Sequence, residues 1–223
     1  MKILVVDDHP LVRDALREQL RQLEADTEVL EAASGAEAFG HADRCPDLDL
    51  ALLDLGLPDA HGFSVLTEFR ERHPAIPVVV LSASQDRDTV IEALDRGAMG
   101  FIPKTATSRV MLCALRLVLS GGVYLPAEVL SQHLSDTGSS EEITPDKQDA
   151  GPVRTIADLG LTERQAQVLA LMIQGKPNKL ICRELGLAES TVKIHVTAVL
   201  RALNVTNRTQ AVIAAGRLGL LIK

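Results

Sequence analysis

Over residues 1–122 the chain alternates short apolar runs with amphipathic stretches, and few folds accept that rhythm. The runs are Ile3–Val6, Val29–Leu30, Leu50–Leu53, Val78–Leu81 and Phe101–Ile102. Between them apolar residues recur at helical spacing: Val12, Leu16, Leu20 and Leu23; Val65, Leu66 and Phe69; Val90, Ile91 and Leu94; Val110, Ala114, Leu117 and Val118. Gly97 is placed to end one of these helices, and Gly121-Gly122 the last. Five strands alternating with five helices predict a parallel sheet covered on both faces.

Residues 123–154 break the rhythm. After a candidate short helix over 126–134 comes a polar stretch punctuated by glycine and proline, Ser135–Pro152, nearly free of apolar residues. That composition predicts a linker, flexible in part. From residue 155 to 223 the pattern is helical. Thr162-Glu163-Arg164-Gln165 forms a capping box before a helix carrying Val168, Leu169, Leu171 and Met172, punctuated by Gly175. Asn178–Leu185 reads as a short second helix ended by Gly186. A third runs from about Glu189 to Leu203 and a fourth from about Arg208 to Leu218.

The two parts differ in charge. From Thr155 onward nine basic residues face four acidic ones, whereas the preceding part holds 14 basic and 26 acidic. The basic part is a candidate for nucleic acid, and the acidic part for a different partner. The apolar runs are far too short to span a membrane. The chain starts directly on a strand-like run, without the pattern of a signal peptide. Cys45, Cys113 and Cys182 are odd in number and widely spaced. They fit a reducing, cytoplasmic setting and offer no paired-cysteine metal site.

In a doubly wound sheet of order 2-1-3-4-5, strands one and three are neighbours where the strand order reverses. Ligands bind there, beyond the carboxyl ends of the strands. Asp7 and Asp8 close the first strand and Asp54 the third, so three carboxylates converge in one crevice. Clustered like charges repel unless a cation neutralises them, and an oxygen-rich site suits Mg2+. Ser82 ends strand four and Lys104 follows strand five. A lysine ammonium can pair with one phosphoryl oxygen while a serine hydroxyl bonds another. A carboxylate can attack a phosphoryl donor to give an aspartyl-phosphate. Asp54, alone at its strand end, is the candidate nucleophile, and Asp7-Asp8 the metal pair. His9 and His61 flank the pocket in sequence and read as surface groups or supports behind the ligands.

The segments Val5-Val6-Asp7-Asp8, Leu53-Asp54-Leu55-Gly56-Leu57-Pro58, Leu81-Ser82-Ala83 and Phe101-Ile102-Pro103-Lys104 resemble the receiver domain of two-component response regulators. The resemblance implies a flavodoxin-like α/β receiver over residues 1–122. It implies that Asp54 accepts phosphate from a sensor histidine kinase. Asp8, Asp54 and the backbone carbonyl of Gly56 would hold Mg2+, with Asp7 acting nearby. Ser82 and Lys104 would recognise the phosphoryl group, and Phe101 matches the aromatic switch residue.

The third helix of the C-terminal part has two faces. Val192, Val196, Val199 and Leu203 would pack inward, while Ser190, Lys193, Ile194, Thr197 and Arg201 face away. In a major groove, Ile194 suits a thymine methyl and Lys193 a guanine edge or a phosphate. Ser190 and Thr191 could bond phosphates or bases. His195 borders the inward face and reads as packing against core or phosphate. Helix two, Gly186 and helix three have the spacing of a helix-turn-helix.

Leu161-Thr162-Glu163-Arg164, Gly175-Lys176-Pro177-Asn178-Lys179, Ser190-Thr191-Val192-Lys193-Ile194-His195-Val196 and Asn207-Arg208-Thr209-Gln210-Ala211 resemble the LuxR-type domain of the NarL/FixJ subfamily. That implies a four-helix all-α domain over 155–223 that binds promoter half-sites as a dimer. Recognition would run through Thr191–Thr197, Lys179 would touch the phosphate backbone, and the last helix would pair the two copies. Double-stranded DNA, a sensor kinase and a second copy are the implied partners, with RNA polymerase left open. Ala188 departs from the pattern, standing where many relatives cap the helix with Ser or Thr. Thr197 departs too, standing where some carry a basic residue. The expected molecule is a phosphorylation-dependent transcription regulator and not an enzyme. A hydrolase with the same pocket, a ligand-driven regulator with an idle receiver and a pure adaptor are the competing readings.

Overall fold

A computed structural model describes residues 1–58, 63–126 and 159–218 of the chain. The N-terminal part runs β1 (Lys2–Val6), α1 (Pro10–Leu20), β2 (Glu28–Ala32), α2 (Gly35–Arg44), β3 (Leu50–Asp54), α3 (Ser64–Arg72), β4 (Val78–Ser82), α4 (Arg87–Asp95), β5 (Gly100–Pro103) and α5 (Ser108–Leu119). All strands pair in parallel in the order β2-β1-β3-β4-β5, as expected. β3 and β4 are buried along their whole length, which is why they read as unbroken apolar runs rather than alternating ones.

Each face of the sheet has its own core. On one, Leu4, Leu53 and Val80 meet Ala38, Leu66, Phe69 and Val90 from α2, α3 and α4. On the other, Ile3, Leu52 and Leu81 meet Leu16 and Leu20 of α1 and Met111, Leu115 and Val118 of α5. Of the helical repeat on α5, Ala114 and Val118 are buried, but Val110 and Leu117 remain 40% and 44% exposed. Helical spacing marks a stripe; how much of it is covered depends on what packs there.

Beyond α5 the chain returns along β5. Tyr124 N–H donates to Met99 O at 3.2 Å, and its carbonyl accepts from Phe101 N–H at 3.1 Å. Residues 123–126 therefore lie against the sheet edge. The rest of the expected linker, the helix over 126–134 beyond Pro126, and His61 fall outside the described residues.

The C-terminal part holds α6 (Glu163–Ile173), α7 (Asn178–Leu185), α8 (Glu189–Ala202) and α9 (Arg208–Arg217). The Thr162–Gln165 capping box is formed in both directions. Gly186, at φ 63°, ends α7 in the left-handed conformation that glycine adopts without strain. Val168, Leu169, Met172, Ile181, Val192, Val199 and Ala211 form the core of this domain.

Candidate functional site

Parallel β1, β3, β4 and β5 bring their carboxyl ends to one edge of the sheet, and the expected polar residues meet there. The Lys104 N–H donates to Ser82 O at 2.8 Å, which ties the chain after β5 to the end of β4. Lys104 Nζ lies 2.8 Å from Asp54 Oδ2 and 2.8 Å from Asp7 Oδ2. Asp7 is fully buried and Asp54 nearly so. Burial works against the Lys104 ammonium, but its pairing with Asp54 and Asp7 outweighs that and raises its pKa above the ordinary value.

The other expected residues close around this centre. Ser82 is buried and its Oγ accepts from the Ser84 N–H at 3.1 Å. Phe101 is completely buried, in the core beneath α3 and α4. A Cβ built on Gly56 would stand 3.4 Å from Asp54 Oδ2, so the main chain there passes beside the carboxylate. Asp7 is held from behind. Its carbonyl accepts from Arg13 Nη1 at 2.6 Å, and its Oδ1 accepts from the His9 N–H at 2.9 Å.

The donor set fits a divalent cation. One ammonium faces three carboxylates, and Asp7 Oδ2 and Asp8 Oδ1 are buried without a hydrogen-bond partner. The Lys104 contact to Asp7 is thus an ion pair off hydrogen-bond geometry. Asp7, Asp8, His9 and Asp54 each offer a donor atom, all within 4.8 Å of one another. Buried carboxylate oxygens without partners are costly unless a cation satisfies them.

On α8, Ile194 is 68% exposed, Ser190 and Arg201 are exposed, and Thr191 and Thr197 are half-buried. Lys179 is exposed on α7, with its Nζ 3.7 Å from Glu24 Oε2 of the first domain. Ala188 caps α8 without any side-chain bond, as its chemistry requires.

Lys193 departs from the expected outward face: it is only 5% exposed. Its Nζ donates to Leu48 O, before β3, at 2.6 Å and lies 3.3 Å from Glu189 Oε1. The face of α8 that carries Lys193 is turned onto the first domain. Glu189, in the same contact, has its pKa raised by burial and then by a hydrogen bond with Asp49, despite Lys193 nearby.

Further contacts extend this docking. Arg70 of α3 donates to the carbonyls of Pro74, Ile76 and, across the interface, Thr206. Burial lowers its pKa to about 10. Thr209 Oγ1 lies 3.8 Å from Met99 Sδ. Gly97, at φ 94°, has no room for a side chain, because a Cβ would stand 2.8 Å from Thr206 Oγ1. These groups sit at the amino ends of β3, β4 and β5, opposite the acidic pocket. Sequence patterning marked Gly97 only as a helix end and had no means to find Arg70, Asp49 or Thr206, since each acts here through a contact between two separately patterned domains.

A switch-point pocket of aspartates and a lysine, joined to a helix-turn-helix, defines a receiver-controlled DNA-binding protein. The family model described as "Response regulator receiver domain" matches residues 3–116, and "Bacterial regulatory proteins, luxR family" matches residues 159–215. The chain is 41% identical over 215 residues to the glycerol metabolism activator of Pseudomonas putida, covering 96% of this chain and 95% of that protein. It is 33% identical over 211 residues to the nitrate/nitrite response regulator NarL of Escherichia coli, covering 95% and 93%. The fold is similar to that of Salmonella typhimurium RcsB, with a TM-score of 0.55 at 19% identity, covering 97% of this chain and 98% of that one. The chain belongs to the response regulators with a LuxR-type DNA-binding domain: it is a two-component transcription regulator and not an enzyme.

Proposed function

We propose that Asp54 is the phosphoacceptor and that its phosphorylation releases α8 from the first domain to bind promoter DNA as a dimer. The observation that carries this is the Lys104 ammonium, 2.8 Å from both Asp54 and Asp7 in a buried acidic pocket. An Asp54 carboxylate oxygen forms a bond to phosphorus as the P–N bond of a phosphohistidine on a sensor kinase breaks. The departing imidazole nitrogen keeps the electron pair. Lys104 offsets charge on the incoming group, and the Ser82 hydroxyl donates to it. Asp7, Asp8, Asp54 and the Gly56 carbonyl would hold Mg2+, which supplies charge neutralisation for the transfer. Phe101, next to this machinery, serves as the switch residue.

On the DNA side Lys193, Ile194 and Thr197 enter the major groove, with Ser190, Thr191, Arg201 and Lys179 on phosphates or base edges. Docked Lys193 is engaged by Leu48 and Glu189, so DNA binding requires undocking. A solved structure of RcsB holds two dimers on two parallel DNAs, which supports a dimeric DNA complex here. No helix among the described residues is long and apolar enough to cross a membrane, and a cytoplasmic setting follows from the DNA partner.

The test is phosphorylation of the purified full-length chain with acetyl phosphate and Mg2+, followed by amine labelling of Lys193 read by mass spectrometry. Acetyl phosphate is expected to add one hydroxylamine-labile phosphoryl group and to raise Lys193 labelling several-fold in the wild type, with neither change in Asp54→Ala. Equal labelling of both proteins would refute the switch.

A further inference from the structure

We propose that the His9 imidazole is a ligand of the divalent ion in the acidic pocket, and that it biases the site toward nitrogen-accepting cations such as Mn2+ over Mg2+. The proposal rests on the cation-binding part of the reading above and adds a donor to it. The sequence alone had suggested only a surface or supporting role.

His9 directly follows the aspartate pair and occupies the N-cap position of α1, yet makes no side-chain cap bond to that helix. Its ring is turned to the carboxylates instead. Nδ1 lies 2.7 Å from Asp8 Oδ1 and 3.2 Å from Asp7 Oδ1. Two donors in adjacent positions on an octahedral ion, each about 2.1 Å from it, lie about 3.0 Å apart. Both separations are near the edge length of that octahedron, and Asp54 completes a set whose donor atoms all lie within 4.8 Å.

A hydrogen bond from Nδ1 to Asp7 Oδ1 accounts for only part of the arrangement. With the proton on Nδ1, the ring is directed at Asp7 Oδ1, which already accepts from the His9 N–H at 2.9 Å. Asp8 Oδ1, the nearer oxygen, is still left buried without a hydrogen-bond partner. With the proton on Nε2, the Nδ1 lone pair and the carboxylate lone pairs converge on one region. A divalent cation satisfies such a set.

The chemical consequence is selectivity. Mg2+ favours oxygen donors and gains little from an imidazole, whereas first-row transition ions bind it well. The ring is 64% exposed, so it can close on an arriving ion from the mouth of the pocket without disturbing the core.

The experiment compares wild type, His9→Ala and His9→Gln by titration calorimetry with Mg2+ and with Mn2+. Electron spin-echo measurements on Mn2+-loaded protein grown with 15N-histidine accompany it. Neither substitution removes a helix cap bond, so thermal melts are expected to match. The expected result is a directly coupled histidine nitrogen in the wild type that both variants lack. With it comes a roughly tenfold loss of Mn2+ affinity and less than a threefold change for Mg2+.

If Mn2+ binds with no histidine nitrogen coupled and both variants keep the wild-type Mn2+/Mg2+ ratio, His9 is not a ligand. Equal loss for both ions would make His9 a positioning residue for Asp7 and Asp8 and would also overturn the proposal. Failure of the wild type to bind either ion would instead overturn the cation site itself.

Discussion

Replacing Lys104 with methionine isolates the electrostatics on which the pocket depends. Lys104 alone offsets Asp7 and Asp54 at 2.8 Å each, and those carboxylates are 0% and 5% exposed. Breaking a buried ion pair typically costs about 3–5 kcal/mol, because the partner is left charged and desolvated. The Lys104 side chain keeps 23% of its surface in water, so solvent screens part of the interaction. The expected loss is about 2–3 kcal/mol, measured by urea denaturation in EDTA. The same change leaves the pocket more negative, so Mg2+ should bind the variant more tightly. About tenfold tighter binding corresponds to about 1.4 kcal/mol, and at saturating Mg2+ the stability gap to wild type should narrow by that amount. The reasoning fails if Lys104→Met costs under about 0.5 kcal/mol in EDTA, or if Mg2+ binds it more weakly than wild type.

Gly97→Ala should undock the domains. It adds a backbone strain of about 1–2 kcal/mol at φ 94° in any state, but its clash with Thr206 exists only when docked. Small-angle scattering should show a larger radius for this variant. Gly175→Ala, at φ 78° with nothing near its Cβ, should keep the wild-type radius. The raised pKa of Glu189, from burial and its bond to Asp49, makes docking favour the protonated acid. Docking is then strongest below the pKa of the free carboxyl and weakens as pH rises through the docked value. The radius should grow with pH across that window, and Asp49→Asn should flatten the dependence. Ala188→Ser should supply the missing cap on α8 and raise the stability of the C-terminal domain by about 1 kcal/mol, read from its thermal melt.

The acidic pocket was legible because parallel topology converts position along a strand into position in space. Once β1, β3, β4 and β5 are recognised as neighbours, the residues at their carboxyl ends must meet, and Asp7, Asp54, Ser82 and Lys104 do. The face of α8 was legible for the same kind of reason: its periodicity separates Val192 and Val199, both buried, from exposed Ile194. Lys193 was not legible. Its helical position says only that it avoids the core of its own domain; it says nothing about a second domain that offers the Leu48 carbonyl. The orientation of His9 escaped for a related reason, since a residue that starts a helix can cap it, face solvent or turn back into a pocket.

The two functional ends of the first domain lie at opposite edges of one sheet, and this limits how a signal can cross. Phosphoryl chemistry would occur beyond the carboxyl ends of the strands, while Leu48, Asp49, Arg70 and Gly97 hold the second domain at the other edge. The strands are buried and close-packed and cannot carry a gradual deformation. The helices can move as bodies. α4 starts five residues after Ser82 and ends at Asp95, two residues before Gly97, which lies against Thr206; α3 carries Arg70 in its last turn, bonded to the Thr206 carbonyl. In the proposed switch, a shift of either helix at the pocket is delivered at Thr206 as an offset in a tight contact. Gly97 leaves no slack there and Arg70 already donates to three carbonyls, so a small offset favours separation over adjustment. A phosphoryl group that stabilises the shifted helices by a few kcal/mol would then change the docked fraction by orders of magnitude.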